Sequence, residues 1–255
     1  IQLVSVGDAV SLQSLQSQNF RLKTFFHGWV TDEAIEAGRV DLIPSRFVKI
    51  PQRIESLLRP IDVAIVQVTP PNEAGFCSLG IAVDVAREAL EQASIRVGEI
   101  NPLIPCTFGD TFVQAGEFDF LVPSTDPPIY FSRWETDSIW DEVAKHVASL
   151  IEDESCLAFS IGPLYEALAK RLTGRRDLGI HSPIFTDPLM DLMIGGTVTN
   201  RRKENFRGKA LTSYAFGTKE LMAWLDNNPL VEFQRISRVF NPLTISSNPR
   251  FVTVF

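Results

Sequence analysis

From residue 61 onward, short β-branched apolar runs alternate with stretches whose apolar residues recur every three or four positions. That alternation is the pattern of strands taking turns with amphipathic helices. Val63-Ala64-Ile65-Val66-Gln67-Val68 predicts a strand, closed by Pro70-Pro71. A helix follows, with Val85, Ala89 and Ala93 on one face beside Ala82, Ala86 and Leu90. Residues 95–100 predict the next strand, broken by Asn101-Pro102, and the proline-, glycine- and threonine-rich stretch 103–128 predicts loops and short strands. Trp140, Val143, Val147 and Leu150 mark an amphipathic helix with Asp137 or Ser138 as N-cap. Earlier in the chain the signals are weaker: a strand at 2–6 ending in Gly7-Asp8, Phe25-Phe26 leading into His27-Gly28, and an apolar run at 40–43 closed by Pro44.

Residues 158–228 hold two strand–turn–helix passages of the same kind. The run Cys156-Leu157-Ala158-Phe159 meets Ser160-Ile161-Gly162-Pro163 and then a helical pattern at 164–172, with Pro163 suited to the first turn. Residues 211–216 predict a strand, Gly217-Thr218 a turn and 219–225 a helix stopped by Asn227-Asn228-Pro229. A glycine between strand and helix allows close backbone approach to a ligand, and a helix's first N–H groups attract anions. A tight turn needing positive φ accounts for each glycine equally well. Between the passages, 190–193 predicts a short helix ending at Gly195-Gly196, and the charged stretch 201–209, interrupted by Gly208, has the composition of a linker. Further strands are expected at 231–236 and 243–245. Together these predict an α/β fold with an open, largely parallel sheet and flanking helices. We expect an N-terminal α/β domain over 1–200 and the beginning of a second, similar α/β domain over 201–255. The chain starts at Ile1 and stops at Phe255 inside the apolar run Phe251, Val252, Val254, Phe255, the pattern expected of a piece of a longer polypeptide.

Charge sharpens this picture. The net charge of −7 over 255 residues argues against a general nucleic-acid binder. Residues 170–209, however, carry nine Lys/Arg against four Asp/Glu, which is either a solvated face or a phosphate site in an otherwise acidic protein. No apolar run approaches the roughly 20 residues that span a bilayer. No signal-peptide pattern opens the chain, so no membrane association and a cytoplasmic location are expected. Cys77, Cys106 and Cys156 are far apart and form no CxxC, and the three histidines show no metal-binding spacing. Neither a disulfide framework nor a metal is expected.

Several familiar sites are absent: GxGxxG, a Walker A loop around Gly217-Thr218-Lys219, and a complete GxSxG elbow at Ser160. A Ser160/His181/Asp187 triad can be written down, but the sequence gives it no geometry. From the residues alone the reading is an α/β protein with polar glycine turns and a candidate phosphate site.

The order of several motifs then resembles the acetyl-CoA hydrolase / 4-hydroxybutyrate CoA-transferase family. These are Arg176-Asp177-Leu178-Gly179-Ile180-His181-Ser182, Asp191-Leu192, and Gly195-Gly196-Thr197-Val198-Thr199-Asn200-Arg201-Arg202-Lys203. Phe216-Gly217-Thr218-Lys219-Glu220-Leu221 and Asp226-Asn227-Asn228-Pro229 follow. Upstream, Gly38-Arg39-Val40-Asp41-Leu42-Ile43-Pro44, the loop from Pro70 to Gly80, Glu99-Ile100-Asn101 and Pro105-Cys106-Thr107 fit in the same order.

The resemblance implies an acyl-CoA:carboxylate CoA-transferase or acyl-CoA hydrolase acting on a short-chain acyl-CoA. In that family a glutamate attacks the acyl-CoA carbonyl, giving an anhydride and then a glutamyl-CoA thioester, which splits one hard exchange into easier steps. The resemblance places that glutamate after the strand matching 251–255, beyond Phe255, so no catalytic residue is assigned within the chain. It assigns CoA or substrate binding to Ser78, Gly80, Ser160, Gly162, Asn200, Arg201 and Gly217. It implies acyl-CoA and a small carboxylate as partners, no metal, and a homodimer. The chain departs from the family pattern at Ala158 and Ser160 (glutamine and glycine in the family), Pro183 (glutamate), Asn72 and Ala74 (aspartate and histidine) and Cys106 (arginine). These departures point either to a different acyl group or to a non-catalytic CoA-binding or regulatory module.

Overall fold

In the computed structural model, residues 1, 21–26, 32–56, 61–124 and 126–254 are described. The strand expected at 2–6 and the His27-Gly28 turn lie outside them. The chain forms two compact units, Ile1–Arg53 and Ile54–Phe255. In the first, β1 (Leu22–Thr24) and β2 (Val40–Leu42) pair in parallel around α1 (Asp32–Glu36), and Leu22, Ala34 and Val40 make a small core. Helix α2 (Ile50–Glu55) follows.

The second unit is built mostly from parallel pairs. Strand β3 (Ile61–Val68) is followed by β4 (Phe76–Ser78), and α3 (Ala86–Gln92) carries the chain back to β5 (Ala93–Ile100), which lies parallel to β3 with Val63 opposite Ile95. Ala93, expected on the helix, is the first residue of β5 because it pairs with Ile61. Strands β6 (Phe108–Gly109), β7 (Phe112–Gln114) and β8 (Phe120–Pro123) come next; β8 adds to β5 in parallel and β7 pairs antiparallel with β4. Gly98 is glycine for a packing reason: a Cβ there would stand 2.7 Å from Leu121 Cδ2.

Helix α4 (Ser138–Ser149) starts as expected, with the Asp137 carboxylate accepting from the backbone N–H groups of Ile139 and Trp140. It packs on α5 (Pro163–Leu172), and between them lies β9 (Cys156–Ala158). All three β9 residues are buried, as a central parallel strand covered on both faces requires. Its neighbours are β10 (Gly179–Ile180) and, on the other side, the last strand of the chain, both parallel to it. Then follow β11 (Ile184–Phe185), α6 (Asp187–Ile194), β12 (Ala210–Thr212), β13 (Tyr214–Ala215), α7 (Lys219–Leu225), β14 (Val231–Phe233), α8 (Ile236–Val239), α9 (Pro242–Ser246) and β15 (Phe251–Thr253). Strands on either side of residue 200 share sheets, β14 with β6 and β15 with β9.

Three expectations are corrected. The single strand at 211–216 is two strands that break at Ser213, where the N–H groups of Ser213 and Tyr214 both turn to the Pro183 carbonyl; β12 pairs with β14 and β13 with β11. The apolar run 243–245 is helix rather than strand. Asn241-Pro242 starts it, with Asn241 Oδ1 accepting from the Leu243 N–H at 2.9 Å and Pro242 in the first turn. The strand expected at 231–236 ends at Phe233, because Arg235 and Ile236 open α8.

Candidate active site

At the carboxyl end of β9 the chain turns through Phe159, Ser160, Ile161 and Gly162 into α5. Gly162 sits at φ 127°, a conformation that only glycine adopts readily, and a Cβ there would meet nothing within 4 Å. Its lack of a side chain therefore serves the turn and leaves open space in front of the helix. Gly162 stands at the N-cap of α5 and offers no side chain to the first N–H groups, while the acid of the first turn is Glu166.

That open space is a pocket. Ser160, Ile161 and Gly162 form one wall, Thr186, Asp187 and Pro188 at the start of α6 a second, and Phe216-Gly217 a third. The segment Phe131–Trp134 lies across it. Phe131 stacks on Phe216 with ring centroids 3.6 Å apart, and its N–H donates to the Gly217 carbonyl at 2.8 Å. Arg133 reaches inward and donates to Glu166 Oε2 from Nε (3.0 Å) and Nη2 (2.7 Å), and to Asp191 from Nη2. Burial works against the Arg133 charge, but the hydrogen bonds to Asp191 and Glu166 outweigh it and hold its pKa above the usual value.

Gly217 has a different reason to be glycine. A Cβ there would fall 2.1 Å from Asp187 Oδ2. The buried Asp187 carboxylate needs that room to accept from the Thr218 N–H and hydroxyl, while Thr218 Oγ1 accepts from Leu221 N–H at the start of α7. The floor of the pocket is also closed from the other side: the Tyr165 hydroxyl donates to the Val254 carbonyl at 3.0 Å, and burial raises the Tyr165 pKa. Since β15 and β9 are parallel neighbours, the carboxyl end of β15 arrives beside the Ser160–Gly162 turn.

Ser160, Gly162 and Gly217 are thus brought together. The other assigned residues lie elsewhere. Ser78 is fully buried and its hydroxyl accepts from the N–H groups of Gly80 (3.1 Å) and Thr107 (3.2 Å). Gly80, at φ 62°, gives its carbonyl to the Thr107 hydroxyl. The adjacent Cys106 N–H donates to Asp226 at the far end of α7. Gly217 precedes the start of that helix, and a helix of seven residues spans about 10 Å, so the Ser78 cluster and the pocket sit at opposite ends of it. Asn200, at φ 57°, accepts from the Ile180 N–H through its side chain and from the Gly208 N–H through its carbonyl. Arg201 beside it is exposed.

The basic stretch is largely occupied with its own neighbours. Lys203 is buried and its Nζ donates to the carbonyls of Ile180 and Lys209, both at 2.7 Å; burial lowers its pKa to about 8. These bonds also pin the charged segment 201–209. Arg171 pairs with Asp141, Arg202 with Glu154 and Lys209 with Glu232. The Ser160/His181/Asp187 triad does not form. His181 Nε2 faces the Val239 carbonyl at 2.7 Å and its Nδ1 faces the Asn248 amide at 2.8 Å, and burial lowers its pKa to about 4. Among the described residues no His, Cys, Asp and Glu cluster fit for a metal occurs, and no helix is long and apolar enough to cross a membrane.

Sequence reading missed Arg133, Glu166 and Thr186, and weighed Asp187 only as a triad member rather than as the partner of Thr218. Thr186-Asp187-Pro188 carried a signal, since Thr followed by Asp-Pro is a helix start. Arg133 carried none, because its partners are 33 and 58 residues away.

The profile of the acetyl-CoA hydrolase/transferase N-terminal domain matches residues 3–160. The chain is 31% identical over 254 residues to 4-hydroxybutyrate coenzyme A transferase of Clostridium kluyveri, covering 100% of this chain and 59% of that protein. It is 32% identical to the succinyl-CoA:acetate/propanoyl-CoA:succinate CoA transferase of Fasciola hepatica over 92% of this chain and 50% of that one. The chain therefore spans between half and three-fifths of these relatives' lengths. Among solved structures it is similar to RipA from Yersinia pestis (TM-score 0.86, 26% identity, 91% of this chain and 56% of that chain). It is likewise similar to 4-hydroxybutyrate CoA-transferase from Porphyromonas gingivalis (TM-score 0.81, 29% identity, 91% and 61%).

Proposed function

We propose that this chain, which belongs to the acetyl-CoA hydrolase/transferase family, serves acyl-CoA:carboxylate CoA transfer, or acyl-CoA hydrolysis, on a short-chain acyl group. The observation that carries the reading is the pocket at the carboxyl end of β9, where an uncapped helix N-terminus opens on a glycine turn. An acyl carbonyl under attack develops negative charge on its oxygen, and the positive end of α5 is suited to stabilise it. The nucleophile in this reading is a glutamate beyond Phe255. A segment leaving β15 in line with that strand starts next to the pocket, with the Val254 carbonyl already held by Tyr165.

The thioester exchange then proceeds in two halves. The glutamate carboxylate displaces CoA to give a mixed anhydride, and the CoA thiolate returns to the glutamyl carbon as the acyl group leaves as carboxylate. A second carboxylate, or water, reverses or ends the cycle. Arg201, exposed at the end of its turn, is assigned to the CoA phosphates, and Ser78 and Gly80 to shaping the adjoining loop rather than to contact with the reacting atoms. A homodimer in the cytoplasm completes the reading.

A non-catalytic CoA-binding module is the second reading. It is favoured by Ala158 and Ser160 standing where the family has glutamine and glycine, and by Phe131 lying across the pocket against Phe216. Labelled acetate incubated with the full-length protein and acetyl-CoA separates the two. Label appearing in acetyl-CoA supports transfer. Release of free CoA without exchange supports hydrolysis. CoA binding with neither activity sinks the enzyme reading and leaves the module.

A further inference from the structure

The charges lining the pocket bear on which acyl groups it admits, given that it is the acyl site of the proposed transfer. Arg133 is the one cation in the lining among the described residues, and the Nε/Nη2 edge of its fork is already committed: Nε and Nη2 both donate to Glu166, and Nη2 also meets Asp191. Glu166 is 4% exposed and cannot swing away into water. Asp187, also 4% exposed, adds a second carboxylate. One guanidinium against two lining carboxylates leaves the pocket net negative, with stacked Phe131 and Phe216 as the apolar surface. Thr186 gives independent sign that a ligand atom belongs here: it is 6% exposed, lines the pocket, caps α6 without using its side chain, and its hydroxyl has no partner among the described residues. A buried hydroxyl without a partner is costly unless a ligand oxygen supplies one.

We propose that Glu166, by occupying Arg133, is a specificity-determining residue that sets this pocket against acyl groups ending in a second carboxylate and in favour of uncharged, short apolar ones. A terminal carboxylate entering the pocket meets two like charges in a partly desolvated space, and the one group able to pair with it bidentately is already taken. Neutralising Glu166 reverses both conditions. The lining becomes balanced, and the guanidinium is left with exposed Asp191 as its ion-pair partner among the described residues, a contact that a ligand carboxylate can displace.

The test compares butyrate with succinate, which have the same chain length and differ in the terminal group. Competitive binding by saturation-transfer NMR on the full-length protein needs no turnover, so it stands apart from whether the protein transfers CoA at all. Wild type is expected to favour butyrate at least 10-fold. Glu166→Gln is expected to shift that ratio toward succinate by 10-fold or more, and Asp191→Asn, at an exposed position, by a smaller factor in the same direction. If Glu166→Gln proves unfolded by near-ultraviolet circular dichroism, Asp191→Asn decides. An unchanged butyrate-to-succinate ratio in the folded variants, or a wild type that prefers succinate, overturns the inference. Absence of exchange activity with the ratio shifting as stated removes the enzymatic reading and leaves the selectivity of the pocket standing.

Discussion

Replacing Glu88 by glutamine should stabilise the protein at pH 8 and leave it nearly unchanged at pH 4. Glu88 lies on α3 with 4% exposure. Its Oε1 accepts from Ser237 Oγ at 3.3 Å, and its Oε2 has no partner among the described residues. Arg235 is close enough to favour its charge, yet that guanidinium is bonded to both oxygens of Glu91 and to Asp110. Burial therefore dominates and raises the Glu88 pKa from 4.5 to about 7. An acid whose folded pKa is raised holds its proton more tightly when folded. Its contribution is thus fully present below about pH 4.5 and is lost as pH climbs to about 7. At 1.36 kcal/mol per pKa unit the ionised form costs on the order of 1–3 kcal/mol. Glutamine keeps an acceptor for Ser237 and carries no charge. Urea denaturation at the two pH values measures the difference directly, and it isolates Glu88 from Asp84, which burial raises to about 6 and which titrates in both proteins. An equal gain at both pH values, or a loss at pH 8, would show that Glu88 is not a strained charge.

Two further substitutions probe the pocket and the Ser78 cluster. Gly217→Ala should cost roughly 2–4 kcal/mol in chemical denaturation, since the added Cβ falls 2.1 Å from Asp187 Oδ2 and displaces the cap of α7; a neutral result would mean that Asp187 does not occupy that space. Ser78→Ala leaves the buried N–H groups of Gly80 and Thr107 without their acceptor and should cost about 1–3 kcal/mol, read as a lowered melting temperature; an unchanged melting temperature would remove the hydroxyl from its structural role.

The strands and helices that could be read from sequence are those whose signal is local. β3 is a β-branched run stopped by prolines, and α4 begins at an aspartate that caps it. The misreadings share a cause: an apolar run reports burial, and burial alone does not choose between strand, bend and helix. Leu243, Thr244 and Ile245 look like a strand until Asn241 and Pro242 are weighed as a helix start, and Leu243 is 80% exposed in any case. The run 211–216 is continuous in composition because both β12 and β13 are largely buried, yet Ser213 lets the chain change partner strands between them.

The site divides in the same way. Gly162 was legible because a glycine between a strand and a prolyl helix start has a conformational meaning, and its φ of 127° supplies it. Gly217 was legible as a position but not as a reason, because what excludes a side chain there is Asp187, thirty residues earlier in the chain. The charge excess of 170–209 pointed toward phosphate, but charge along a sequence does not reveal pairing in space. Lys203 turned inward onto two carbonyls, and Arg171, Arg202 and Lys209 found carboxylates. By the same logic the cation nearest the candidate chemistry, Arg133, belongs to a stretch with no charge run at all. Its importance comes from two acids that only the fold brings to it, which is why pocket selectivity has to be argued from the pairings and not from composition.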